Sequence, residues 1–112
     1  MKPFALLFRP TRTLTPVEAA RRNDAARAWA LARRDDGSLQ HATPLEEEGV
    51  RVTSDDLRSV DVLGTVGAVL VLQAPDMAAV VELAKTHPGL SYGVEIDIRP
   101  VKAILPAAPA SA

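Results

Sequence analysis

The 112-residue chain carries 13 Lys plus Arg against 14 Asp plus Glu, a formal charge of -1, so no net field draws it to nucleic acid or to a membrane surface. Its length suits one domain with one core, its 47% hydrophobic content is too high for an intrinsically disordered chain, and the lack of Cys excludes disulfides, thiolate catalysis and Cys-held metals. Aromatic residues are only 4%, so the core must be built from Val, Leu, Ile and Ala, which bury less area each, and a partner chain would add what so small a core lacks.

Residues 2–9 (KPFALLFR) set Phe4, Leu6 and Phe8 on one face and Ala5 and Leu7 on the other, the pattern of a strand apolar on both sides. The run is too short for a signal-peptide core and is closed by Arg9. Thr15-Pro16-Val17-Glu18 is a capping box with Pro at the first helical position. The helix it opens runs to about Asp35 and stops at Gly37, the residue type suited to a left-handed C-terminal cap. In residues 38–45, Leu39, His41 and Thr43 alternate with Gln40 and Ala42, as in a strand. Gly49 to Thr53 reads as its hairpin partner, across the acidic turn Glu46-Glu47-Glu48.

From Val60 the chain turns strand-like again and ends in AVLVLQ (68–73), a continuous aliphatic run typical of a strand covered on both faces. Pro75-Asp76 opens a second helix whose apolar stripe is Met77, Val80, Val81 and Ala84, and Pro88-Gly89 ends it. In the last strand, 93–102, Val94, Ile96 and Ile98 face inward and Glu95, Asp97 and Arg99 outward. The tail 105–112 (LPAAPASA) has little to bury and is expected to be disordered. The longest apolar stretch, Val66 to Leu72, is far below spanning length, so a cytoplasmic protein is expected; ten Arg to three Lys and abundant Ala suggest a GC-rich bacterial genome.

The resulting order, β-α-β-β-α-β over residues 1–104, predicts an α+β, ferredoxin-like domain. Such a sheet carries its helices on one face, so the double-faced AVLVLQ run predicts a homodimer in which two sheets pack face to face.

Three segments, LLFRPTRTLTPVEAARRNDAARAWA (6–30), GAVLVLQAPDMAAVVELAKTHP (67–88) and YGVEIDIRPV (92–101), resemble YCII-related proteins of the DGPF type in order and spacing. The resemblance implies a dimeric α+β barrel of ferredoxin-like subunits, with a His and an Asp in an intersubunit cleft as catalytic groups. Carried over residue by residue, Asp56 in SDDLRS stands at the Asp of the family's Asp-Gly-Pro-Phe element. Leu57, Arg58 and Ser59 replace the rest, and with them the tight turn is expected to be lost. The first helix, where related proteins carry the His, has none; the matching place lies around Asp24. These departures favour a binding pocket over acid–base catalysis.

Read from the residues themselves, the first helix places Arg21 and Asp24 on the stripe of Val17, Ala20, Ala28 and Leu31 toward the sheet, with Arg22, Arg27, Arg33 and Arg34 pointing away. An inward guanidinium oriented by a carboxylate would hold an anion; the plainer reading, and the preferred one for this pair alone, is an ion pair at the stripe's rim. His41, in phase with Leu39, would point between sheet and helices and act as a general base with Asp55 or Asp56, or serve as a hydrogen-bonded structural residue. His87 suits the negative end of the second helix as a partly positive ring. Trp29 and Tyr92 are pocket walls or packing anchors, and Arg9 is a further candidate ligand contact.

The function expected is binding of a small polar or anionic molecule in a cleft near the dimer interface, through Arg21, Asp24, Trp29 and Arg9. The alternatives are an enzyme using His41 and Asp56, or an interaction module without a pocket. Neither cofactor nor metal is expected, and self-association is expected rather than nucleic-acid or membrane partners.

Overall fold

The computed structural model describes residues 1–103 and 105, so the expected Ala/Pro tail lies, apart from Leu105, outside the described residues. Among the described residues nine elements follow one another: β1 (Lys2–Pro10), α1 (Pro16–Asp35), β2 (Leu39–Pro44), β3 (Val50–Val52), β4 (Leu57–Ser59), β5 (Ala68–Ala74), α2 (Met77–Lys85), a 3-10 turn (Pro88–Tyr92) and β6 (Val94–Pro100). Four strands form an antiparallel sheet in the order β2-β5-β1-β6, while β3 and β4 pair with each other as a separate ribbon. Without the ribbon this is the ferredoxin-like α+β fold, two interleaved strand-helix-strand units with both helices on one face of the sheet.

The register shows which side chains share a face. Phe4, Leu6 and Phe8 of β1 stand opposite Leu72, Leu70 and Ala68 of β5, and opposite Pro100, Ile98 and Ile96 of β6. Phe4, Leu6, Phe8, Leu70, Leu72 and Ala74 make the core with Val80 and Ala84 of α2, and Ala68, Ile96 and Ile98 pack half-buried against it; Leu6, Leu72 and Val80 are fully buried. Because strand side chains alternate, Ala5 and Leu7 of β1 share the other face with their opposite numbers Val71 and Val69.

Both ends of α1 follow from the sequence. Thr15 accepts a hydrogen bond from the Glu18 amide while the Glu18 carboxylate accepts one from the Thr15 amide, closing the capping box. At the other end Gly37 adopts a left-handed φ of 84°, and the amides of Gly37 and Ser38 bond back to the carbonyls of Arg34 and Arg33.

Two readings of this middle region need correction. The partner of residues 50–52 is 57–59, not the preceding strand, and Val60–Gly67 is loop rather than strand. The hairpin also keeps a tight turn without Gly or Pro: the Thr53 amide donates to the Asp56 carbonyl at 2.9 Å, with the Asp56 carboxylate bonded to the Leu57 amide.

Candidate functional site

The helix-free side of the sheet gathers the polar candidates around an apolar centre. Ala5, Leu7, Val69 and Val71 form the centre. On the β6 side, Arg9, Leu7 and Ala5 stand opposite Glu95, Asp97 and Arg99, so Arg9 lies in a charged margin with those three residues. Its Nη2 donates to Asp97 Oδ1 at 3.1 Å and approaches Glu95 Oε2 at 3.6 Å. Its Nε is shielded from solvent and has no hydrogen-bond acceptor among the described residues. A guanidinium oriented in this way by carboxylates is set in place rather than free to swing.

His41 also belongs to this face, not to the space between sheet and helices. A register shift between Leu39, opposite Leu72, and His41, opposite Val71, breaks the alternation of β2. A bulge of this kind moves every later side chain to the other side, so His41 and Thr43 turn away from the helices and are exposed.

The α1 wheel is rotated from its expected setting as well. Arg21 and Asp24 are exposed together with Val17, Ala20 and Ala28, whereas Arg22, Ala25, Ala26, Trp29 and Arg33 are partly covered. No residue of α1 is fully buried, and its Ala-rich composition spreads apolar positions around the whole helix, so its facing is decided by Trp29, the large side chain that packs on the core. The indole donates from Nε1 to Thr86 Oγ1 at 2.8 Å, and the Arg33 guanidinium lies 5.7 Å from the ring centroid. Arg33 Nε also approaches Asp36 Oδ2 at 3.0 Å, close enough for an ion pair though not aligned for a hydrogen bond.

Asp56, the other expected catalytic residue, sits exposed in the ribbon turn. The Arg58 guanidinium, with Nε 2.8 Å from Oδ2, and the Leu57 amide hold its carboxyl below the usual range. An acid held ionised is a poor proton donor at neutral pH, so this geometry speaks against Asp56 as a catalytic acid and favours a structural carboxylate.

His87 plays a part that its expected role missed. Only 8% exposed, it lies 4.7 Å from the Phe8 ring and 4.8 Å from Trp29, and its Nδ1 accepts the Gly89 amide at 2.9 Å. It therefore caps the start of the 3-10 turn as a neutral acceptor, and burial pushes its pKa down to about 4. The signal was in the sequence: a residue before Pro is held extended, which is the N-cap conformation of a Pro-led turn.

Two open clefts flank the core. One of about 520 Å³ is bordered by Met1, Asp36, Ser38, Gln73 and Glu82, and one of about 180 Å³ between α2 and β6 by Val81, Lys85, Leu90, Ile96 and Ile98. None of the six candidate residues lines either. Among the described residues, no helix is long and apolar enough to cross a membrane, and no three His, Asp or Glu side chains cluster as a metal site would require.

No protein-family model matches the chain, and no curated protein does. Among solved structures it is similar to muconolactone isomerase, in a crystal structure at 3.3 Å resolution, with a TM-score of 0.60 and 14% identity over 98% of this chain and 97% of that one. It is also similar to the 5-chloro-2-hydroxyhydroquinone dehydrochlorinase TftG from Burkholderia phenoliruptrix AC1100, in complex with 2,5-dihydroxybenzoquinone, with a TM-score of 0.58 and 16% identity over 88% of this chain and 93% of that one. At these identities the likeness is one of fold. This chain has the subunit fold of the dimeric α+β barrels.

Proposed function

We propose that the chain works as a homodimer of the YCII-related type, in which two helix-free sheet faces meet and a small polar or anionic molecule binds at their margin. The observation that carries this reading is the face itself: Ala5, Leu7, Val69 and Val71 at its centre, with Arg9 and Arg99 on one side and His41 on the other. Within the single chain Ala5, Leu7 and Val69 are half-buried and Val71 is buried; an apolar sheet face without a helix layer is the kind of surface that a partner covers, and a polar rim with an oriented Arg suits recognition of a small oxygen-bearing ligand. Arg9 and His41 are the ligand contacts this geometry favours; Arg21 and Asp24, exposed on α1 across the sheet from this face, fall outside the site.

The test begins with assembly. Sedimentation equilibrium of the wild-type chain gives a dimer, and Leu7→Lys, which places a charge at the centre of the face, gives a folded monomer. A monomeric wild type removes the reading. For the ligand, 2,5-dihydroxybenzoquinone, the small ring bound by the dehydrochlorinase neighbour, is the first probe. It raises the melting temperature of the wild type and not of Arg9→Ala; equal shifts in both move the site away from Arg9, and no shift removes this ligand class.

A further inference from the structure

The β3–β4 ribbon is amphipathic. Directly opposed residues of an antiparallel pair share a face, so Val50, Ser59, Val52 and Leu57 make one side and Arg51 and Arg58 the other. On the apolar side Val50, Val52 and Leu57 are 65%, 76% and 64% exposed. Of the twelve large apolar side chains most open to solvent among the described residues, seven fall between Leu45 and Val66, so the exposure is concentrated in this insertion. A lone two-stranded ribbon is marginal in water at best, and this one offers solvent the side that a third layer would cover.

Resting on the face-to-face homodimer proposed above, we propose that the ribbon is an arm of the same interface, reaching over the partner protomer and laying Val50, Val52 and Leu57 upon it. Area argues for a second copy of this chain as the occupant. Four strands ~4.8 Å apart, with ~3.3 Å per residue over about seven residues, present a face of roughly 400 Å². A stable interface takes about 800 Å² from each partner, so the sheet alone supplies about half. Position argues the same way. Both ends of the insertion spring from the rim of the open face: it leaves the end of edge strand β2 and returns at the start of β5, where the Leu45 amide bonds to the Gly67 carbonyl at 2.9 Å. In the assembled dimer Arg51 and Arg58 face outward, and Asp56 balances Arg58.

The deciding measurement is sedimentation equilibrium of three full-length chains: wild type, Leu7→Lys on the sheet, and the double variant Val52→Lys/Leu57→Lys on the ribbon. The wild type is a dimer, and the ribbon variant, with an unchanged circular dichroism spectrum, dissociates at least ~10-fold more readily. A ribbon variant that dimerises with wild-type affinity overturns the arm and leaves the dimer standing. Loss of only a larger assembly overturns it too, by assigning the ribbon to contacts between dimers. A wild type that is monomeric throughout removes the dimer and the arm together. Hydrogen exchange on the wild type supplies the second readout should the variant fail to fold: the amides of Val50–Val52 and Leu57–Ser59 exchange more slowly at concentrations above dimerisation than below. Equal exchange rates refute the arm.

Discussion

The indole Nε1 of Trp29 donates to Thr86 Oγ1 at 2.8 Å, and that hydroxyl in turn donates to the Leu83 carbonyl at 2.6 Å, so one side chain of α1 is fastened to the turn that ends α2. This contact orients a helix whose own apolar pattern does not. Thr86→Val keeps the shape and leaves the indole N–H without its partner, which is expected to cost about 1–2 kcal/mol. Urea denaturation followed by Trp29 fluorescence measures it; an unchanged midpoint would mean that packing alone holds α1.

The ring of His87 sets a pH dependence. Its folded-state pKa, about 4, lies below the ordinary 6.5, so between these values the unfolded chain takes up a proton that the folded chain refuses. Stability is therefore full above about pH 6.5, falls as pH drops toward 4 and levels off below. After allowance for solvent screening at the ring's edge, the loss is on the order of 2 kcal/mol. His87→Asn keeps an acceptor for the Gly89 amide and removes the titration, so thermal melts of this variant should show a flatter profile in this window. Identical profiles would assign the acid sensitivity to other groups.

Thr15→Ala removes half of the capping box and should destabilise the chain by about 1 kcal/mol. Thr15→Ser should restore nearly all of it. A chemical melt comparing the three chains decides the matter, and equal stability of the Ala variant would show that α1 starts without help from its cap.

Gly93 has a left-handed φ of 77°, and an added Cβ would come within 2.8 Å of Arg12 Cγ. The Arg12 chain is flexible and can move aside, so the backbone conformation sets most of the cost. Gly93→Ala should lose about 1–2 kcal/mol, with Gly93→Asn milder because Asn tolerates this region better. Calorimetric melts showing Asn no better than Ala would shift the blame to Arg12.

Arg51 and Arg58 stand opposite each other across the ribbon, a like-charge pair, and the Asp56 carboxylate bonded to Arg58 offsets it. Because that carboxyl's pKa is lowered in the fold, the ribbon is most ordered above the ordinary carboxylate range and loosens as pH falls through the lowered value. Asp56→Asn should loosen it at neutral pH. Faster exchange of the Arg51, Thr53 and Arg58 amides in the variant, with the β1 and β5 amides unaffected, is the expected NMR result; unchanged ribbon exchange would show the pair to be screened by solvent.

Much of this molecule was legible from residue order alone, wherever the deciding interaction is local. Thr15-Pro16-Val17-Glu18 and Gly37 bracket α1 because a capping box and a left-handed cap are made by residues three or four apart. Phe4, Leu6 and Phe8, and Val94, Ile96 and Ile98, show their inward faces because a strand's period is two. From these elements the ferredoxin-like order followed. The places of the candidate residues did not, because each depends on a partner distant in sequence. The bulge that turns His41 outward exists only in the pairing of β2 with β5. Arg21 and Asp24 stay on the solvent side of α1 because Trp29 packs on the core and against His87, and an Ala-rich helix has no strong facing of its own. Arg9 meets Asp97 only because β1 and β6 are neighbours in the sheet, 88 positions apart in the chain. Local chemistry determined the elements; long-range pairing decided which side chains share a face, since a change of one residue in register, or a rotation of one helix position, exchanges the surface for the core.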